Sequence, residues 1–110
     1  MTAKDRNCLR NMLEFAERVE RRVHDMTYEQ FSNDEDKQDM ILYALGQIGE
    51  NADSVSDAFQ EEHPEILWSS IIGLRNRIFH VYENINMKLV YDVASNNIPD
   101  LVHRLRDLLK

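Results

Sequence analysis

The sequence predicts an all-α protein, an up-and-down helical bundle of four main helices plus short helical segments. Three observations carry this. The 110 residues include 3 Gly and 2 Pro, too few to make the turns that an all-β sandwich needs about every 8–12 residues. Hydrophobic residues make up 43% of the chain, which suits a packed core and not a disordered segment. The apolar residues recur at steps of three and four, the spacing of one helix face. At this length the chain fits a single domain, residues 1–110.

The first helix is expected over about residues 4–26, with Thr2 and Asp5 in a capping arrangement. Its stripe runs Leu9, Met12, Leu13, Ala16, Val19, Val23, Met26. Thr27 caps a short turn holding Tyr28 and Phe31. Ser32, Asn33 and Asp34 are N-cap candidates for a second long helix, and the acidic run Asp34–Asp36 suits its positive end. That stripe, Ile41, Ala44, Leu45, Ile48, Ala52, Val55, Phe59, extends the helix to about residue 60. Gly46 and Gly49 lie inside it. Each costs up to about 1 kcal/mol against Ala, and close approach of another helix is the return expected for them. Pro64 suits the first turn of a third helix, whose apolar side is Ile66, Leu67, Ile71, Leu74 and Ile78. A polar break at Glu83–Asn86 precedes a fourth helix over about 87–97, and Pro99 starts or kinks the last segment.

Composition narrows the function. A single cysteine, Cys8, makes neither an internal disulfide nor a cysteine-based zinc site, and reads as a small core residue. A reducing, cytoplasmic setting follows. No apolar run approaches the roughly 18 residues of a membrane span, so no membrane partner is expected. The net charge is −7, but segments 1–24, 25–65 and 66–110 carry +2, −11 and +2. The acidic middle weighs against nucleic acid, and the mildly basic ends soften that objection. His24, His63 and His103 are scattered without ligand spacing, and no metal or other cofactor is expected.

The stretch that carries chemistry is Gly73-Leu74-Arg75-Asn76-Arg77-Ile78-Phe79-His80-Val81-Tyr82. On a helix Arg75 and Tyr82 share a face, and Asn76 and His80 share the adjacent one. With a helix that persists to Tyr82, the polar set spans roughly 160°. Ile71, Leu74, Ile78 and Val81 then face the core. The set suits a phosphodiester. Arginine offers a fork that matches phosphate oxygens and stabilises charge developing there. Histidine titrates near neutral pH and accepts a proton from a hydroxyl. RNA needs no added nucleophile, because its own 2′-hydroxyl is held beside the phosphorus. Read from spacing alone, an arginine and a histidine on a helix are more often a solvated face than an active site.

The residues also form a pattern, R-x4-H-x-Y from Arg75 through His80 to Tyr82. Trp68 and Gly73-Leu74 stand before it, and Ile48-Gly49-Glu50-Asn51-Ala52 lies upstream. In this order the chain resembles, over almost its whole length, the HepT-like branch of the HEPN superfamily. The resemblance implies an all-α homodimer and a metal-independent RNA endonuclease, the toxin of a toxin–antitoxin pair. Its implied partner is a minimal nucleotidyltransferase (MNT) antitoxin that adds AMP to the motif tyrosine. Carried onto this sequence, Arg75 and His80 are catalytic with Asn76 in support. Tyr82 is the modified residue, and two motifs meet across the dimer in one cleft. Val81 departs from the family pattern, in which a small residue separates the histidine from the tyrosine.

Supporting residues keep two readings each. Glu50 holds Arg75 or Arg77 by a charge-assisted bond, or is an exposed carboxylate. Arg77 contacts phosphate or solvates its helix. Trp68 is a core or dimer anchor rather than a stacking platform. Lys88, Arg104 and Arg106 widen a phosphate path or solvate their helices. The rival to the ribonuclease is a non-catalytic HEPN module that binds a nucleotide or a partner protein through its acidic surface.

Overall fold

The computed structural model describes residues 1–80 and 85–110. The first helix, α1 (Ala3–Val23), opens with the Thr2 side chain accepting the Asp5 N–H. It ends three residues before the expected 26, and Asp25 just beyond has φ 59°. Short α2 (Tyr28–Ser32) carries a full capping box between Thr27 and Gln30. Long α3 (Glu35–Ser54) starts at Asp34, one of the three candidate caps, whose side chain accepts the Lys37 N–H.

The expected run to residue 60 divides, because a short α4 (Asp57–Glu62) follows the break at Val55–Ser56. The cause is tertiary. Buried Asp5 accepts the Ser56 N–H at 2.8 Å and the Ser56 hydroxyl at 2.6 Å. Ser56 in turn caps α4 through the Phe59 N–H at 3.3 Å. The next helix, α5 (Trp68–His80), begins later than Pro64. The Trp68 indole N–H donates to the His63 carbonyl at 2.9 Å and pins that turn. After Asn86, α6 (Met87–Asp92) runs through a π-helical turn, Val93–Asn97, into α7 (Ile98–Leu108). Pro99 lies in the first turn of α7. It has no N–H and crowds the preceding turn, and a wider π turn relieves both demands. Of the expected polar break, Glu83 and Asn84 lie outside the described residues.

Side-chain pairs give the directions of the helices. Asp5 meets Ser56, Asn11 meets Asn51 at 3.2 Å, and the Phe15 ring meets Tyr43. The numbers rise on α1 as they fall on α3, so this pair is antiparallel. Gly46 faces Phe79 and Gly49 faces Arg75, which makes α3 and α5 antiparallel. The Tyr91 hydroxyl donates to the Met26 carbonyl and Arg106 pairs with Glu17, which sets α6–α7 antiparallel to α1. The four long elements alternate in direction, with α3 between α5 and α1, and α1 between α3 and α7. The described residues contain no strand, and the all-α bundle stands as expected.

The core lies along the contact of α1, α3 and α7. Leu9, Met12, Ala16 and Val19 of α1 meet Ile41, Ile48 and Ala52 of α3 and Leu105 of α7. Cys8 is buried among them. None of the described helices is long and apolar enough to cross a membrane.

Candidate functional site

Two glycines build the site. A Cβ on Gly49 would stand 2.3 Å from the Cβ of Arg75, and one on Gly46 would stand 2.7 Å from the Phe79 ring. No side chain fits at either place without movement. The helix-weakening glycines of α3 therefore let α5 lie against it with Arg75 and Phe79 across their backbones, the close approach expected from the sequence. Gly73 is different, since nothing lies within 4 Å of an added Cβ.

Seated on Gly49, Arg75 turns its guanidinium back onto α3. Its side chain is 13% exposed. Nη1 donates to Glu50 Oε1 at 2.5 Å, Nη2 to Asp53 Oδ2 at 3.3 Å, and Nε to Asn76 Oδ1 at 2.8 Å. The carboxylates are about half exposed. These bonds, Glu50's first, raise the Arg75 pKa above its ordinary value, against the opposing effect of burial. The guanidinium stays charged at any working pH and fixed in plane, with every nitrogen engaged.

The helix places the remaining groups in relation to Arg75. Asn76 and His80 are both exposed on α5. Being four residues apart they stand one above the other, roughly 6 Å apart along the axis. Asn76 thus touches Arg75 on one side and neighbours His80 on the other. Phe79, 45% exposed, borders the same ridge. The Glu50–Arg75 pairing realises one of the two partners considered for Glu50. Arg77 is not in this cluster. It lines a groove of about 480 Å³ between α5 and α7, floored by Leu45 and Ile48 of α3. Arg104 shares that groove and pairs with Asp100 at 2.9 Å. Lys88, at the start of α6, is paired with Asp92 and lies over the Tyr28 ring, and Arg106 pairs with Glu17. None of these cations extends the Arg75 cluster into a path. Trp68 is buried, as an anchor rather than a platform. Tyr82 and Val81 lie outside the described residues.

The residue that sequence reasoning missed is Asp53. It lies three positions after Glu50, one turn along the same face of α3. That spacing was the available signal. Among the described residues no group of three or more His, Cys, Asp or Glu is placed to hold a metal ion. The arrangement offers a fixed cation, an amide bonded to it, and an exposed histidine one helical turn beyond that amide. These are the parts that phosphoryl chemistry on a hydroxyl nucleophile uses.

Comparison with known proteins agrees with this class. Residues 12–108 match the model of the family described as Ribonuclease HepT-like. The chain belongs to that family. A Thermococcus cleftensis protein named "Probable ribonuclease HepT" is 26% identical over 110 residues, all of both chains. A Methanocaldococcus jannaschii protein, provisionally named RNase MJ0127, is 27% identical over 88 residues, 80% of this chain and 73% of its own. A Caldanaerobacter subterraneus subsp. tengcongensis protein, provisionally named RNase TTE0752, is 26% identical over 93% of this chain and 91% of its own. No solved structure matches the chain.

Proposed function

We propose that this protein is a metal-independent RNA endonuclease. The observation that carries the reading is the Arg75–Asn76–His80 cluster, with its arginine seated on Gly49, in a chain of a ribonuclease family. His80 takes the proton from a 2′-hydroxyl. The freed 2′-oxygen attacks the adjacent phosphorus, and the bond to the 5′-oxygen breaks. That oxygen takes a proton from water and leaves as a 5′-hydroxyl, the proton on His80 passes to solvent, and the other fragment keeps a 2′,3′-cyclic phosphate. Arg75 stabilises the charge on the pentacoordinate phosphorus centre, and Asn76 orients Arg75 and His80. Glu50 fixes the guanidinium. Arg77, on the groove side, takes no part in the step and is available only to more distant phosphates of a bound strand.

In the cell this reading makes the chain, one domain of residues 1–110, a cytoplasmic toxin of a toxin–antitoxin pair. It acts as a homodimer in which two motifs form one cleft. Its antitoxin is an MNT-type nucleotidyltransferase that adds AMP to Tyr82. The family resemblance supports these steps, and the Tyr82 hydroxyl supplies the nucleophile for AMP transfer.

The test uses purified protein, a single-stranded RNA and a metal chelator. Wild type is expected to cleave and to leave cyclic phosphate ends. His80→Ala and Arg75→Ala are each expected to lose cleavage by about 10²-fold or more. Undiminished cleavage in either variant refutes the mechanism. The non-catalytic binding module is the second reading, and the net charge of −7 favours it. It predicts RNA or nucleotide binding with no cleavage by wild type.

A further inference from the structure

Arg75 makes more contacts than a free phosphate-binding arginine. A guanidinium binds an oxyanion best through two parallel N–H bonds from one edge. Here Nε is held by Asn76, Nη2 by Asp53 and Nη1 by Glu50. Each edge is therefore partly taken, and two carboxylates on one cation leave a net charge of −1 facing an incoming phosphate. The two carboxylates differ. Glu50 is close, at 2.5 Å, and stands beside Gly49 at the point where the helices touch. Asp53 is longer, at 3.3 Å, with 56% of its side chain in water. Exposed pairs of that kind contribute little and re-form readily with solvent.

We propose that Asp53 is a competing arm on Arg75, displaced by a phosphate oxygen of the substrate while Glu50 keeps the guanidinium in place. Asp53 is thus a positioning residue. Without substrate it holds Nη2 in plane and screens the cation, and on binding it swings into water and gives up that N–H. Any phosphate oxyanion must pass this exchange, whether it belongs to an RNA backbone or is free. The inference rests on the proposed phosphodiester site and names the event that opens it.

The test titrates the full-length protein with inorganic phosphate and follows the Arg75 Nε–H resonance by NMR. Asp53→Asn keeps the size and one acceptor of the side chain and removes its charge. Half-saturation is expected at about two- to five-fold lower phosphate than in wild type. The same variant in a His80→Ala background should bind a labelled single-stranded RNA tighter by a similar factor. That gain should vanish when Arg75 is also Ala. Asp57→Asn, which removes an exposed acid nearby in sequence with no bond to Arg75, should give a smaller change. Unchanged or weaker phosphate binding in Asp53→Asn overturns the proposal. So does a gain in RNA affinity that persists without Arg75, because it would be a general charge effect. Protein that binds phosphate as expected but neither binds nor cleaves RNA would refute the RNA reading and leave the exchange standing.

Discussion

Replacing Gly49 with alanine isolates what the close approach of α3 and α5 does. The added Cβ would meet the Arg75 Cβ at 2.3 Å, its Cγ at 2.9 Å and the Ile71 carbonyl at 3.1 Å. The nearest atom is the root of a side chain and the third is backbone, so neither swings aside, and the helices must part. Overpacking of this kind costs about 1–3 kcal/mol, and this contact belongs at the upper end. Alanine returns about 1 kcal/mol of helix propensity, which leaves a net loss of about 2 kcal/mol. For a domain of this size that lowers the melting temperature by about 8 °C. Gly73→Ala is the matched control, since its Cβ meets nothing within 4 Å. It should gain about 0.5–1 kcal/mol from helix propensity alone. Thermal unfolding followed by circular dichroism reads both. Opposite signs are expected, and a Gly49→Ala protein as stable as Gly73→Ala would refute the reasoning. Parting the helices also moves Arg75 away from Glu50, so Gly49→Ala should lose RNA cleavage at temperatures where it remains folded.

Two further predictions concern Asp5 and Tyr82. The Ser56 side-chain and backbone hydrogen bonds hold the Asp5 carboxylate below its ordinary value of 3.8. Its stabilisation is therefore complete above about pH 4 and is lost as pH falls through the lower native value. Asp5→Asn should lose about 2–3 kcal/mol at pH 7, and the deficit against wild type should shrink toward pH 3 in urea unfolding. A deficit that stays constant with pH would show that the charge does not matter. Tyr82→Phe, co-expressed with an MNT-type nucleotidyltransferase, should carry no AMP by mass spectrometry where wild type does. AMP on both proteins would place the modification elsewhere.

The fold was legible where sequence pattern and local chemistry agree. The stripe from Leu9 to Val23 and the caps at Thr2, Thr27 and Asp34 needed only their neighbours. The break between α3 and α4 was not legible in the same way. Ala52, Val55 and Phe59 keep helical spacing straight across it, and all three are buried. The chain turns there because Asp5, 51 residues away, takes the Ser56 N–H. The π turn at Val93–Asn97 was equally hidden, since its stripe continues and only Pro99 marks it. At the site, the glycines of α3 and the Glu50 partner were anticipated. Asp53 was not, although a turn of helix beyond Glu50 brings it to the same guanidinium. Arg77 shows the converse. It is two residues from Arg75 in sequence, and about 200° of helical rotation carries it into another groove.

The central claim is that His80, one helical turn beyond the Asn76 bonded to a clamped Arg75, makes this bundle a ribonuclease. It is tested most directly by inducing wild type and His80→Ala side by side in cells, following growth and running total RNA on a gel. Arrest with RNA fragments in the wild type alone is the predicted result. Equal arrest and fragmentation from the His80→Ala protein, or intact RNA and normal growth with both, would contradict it.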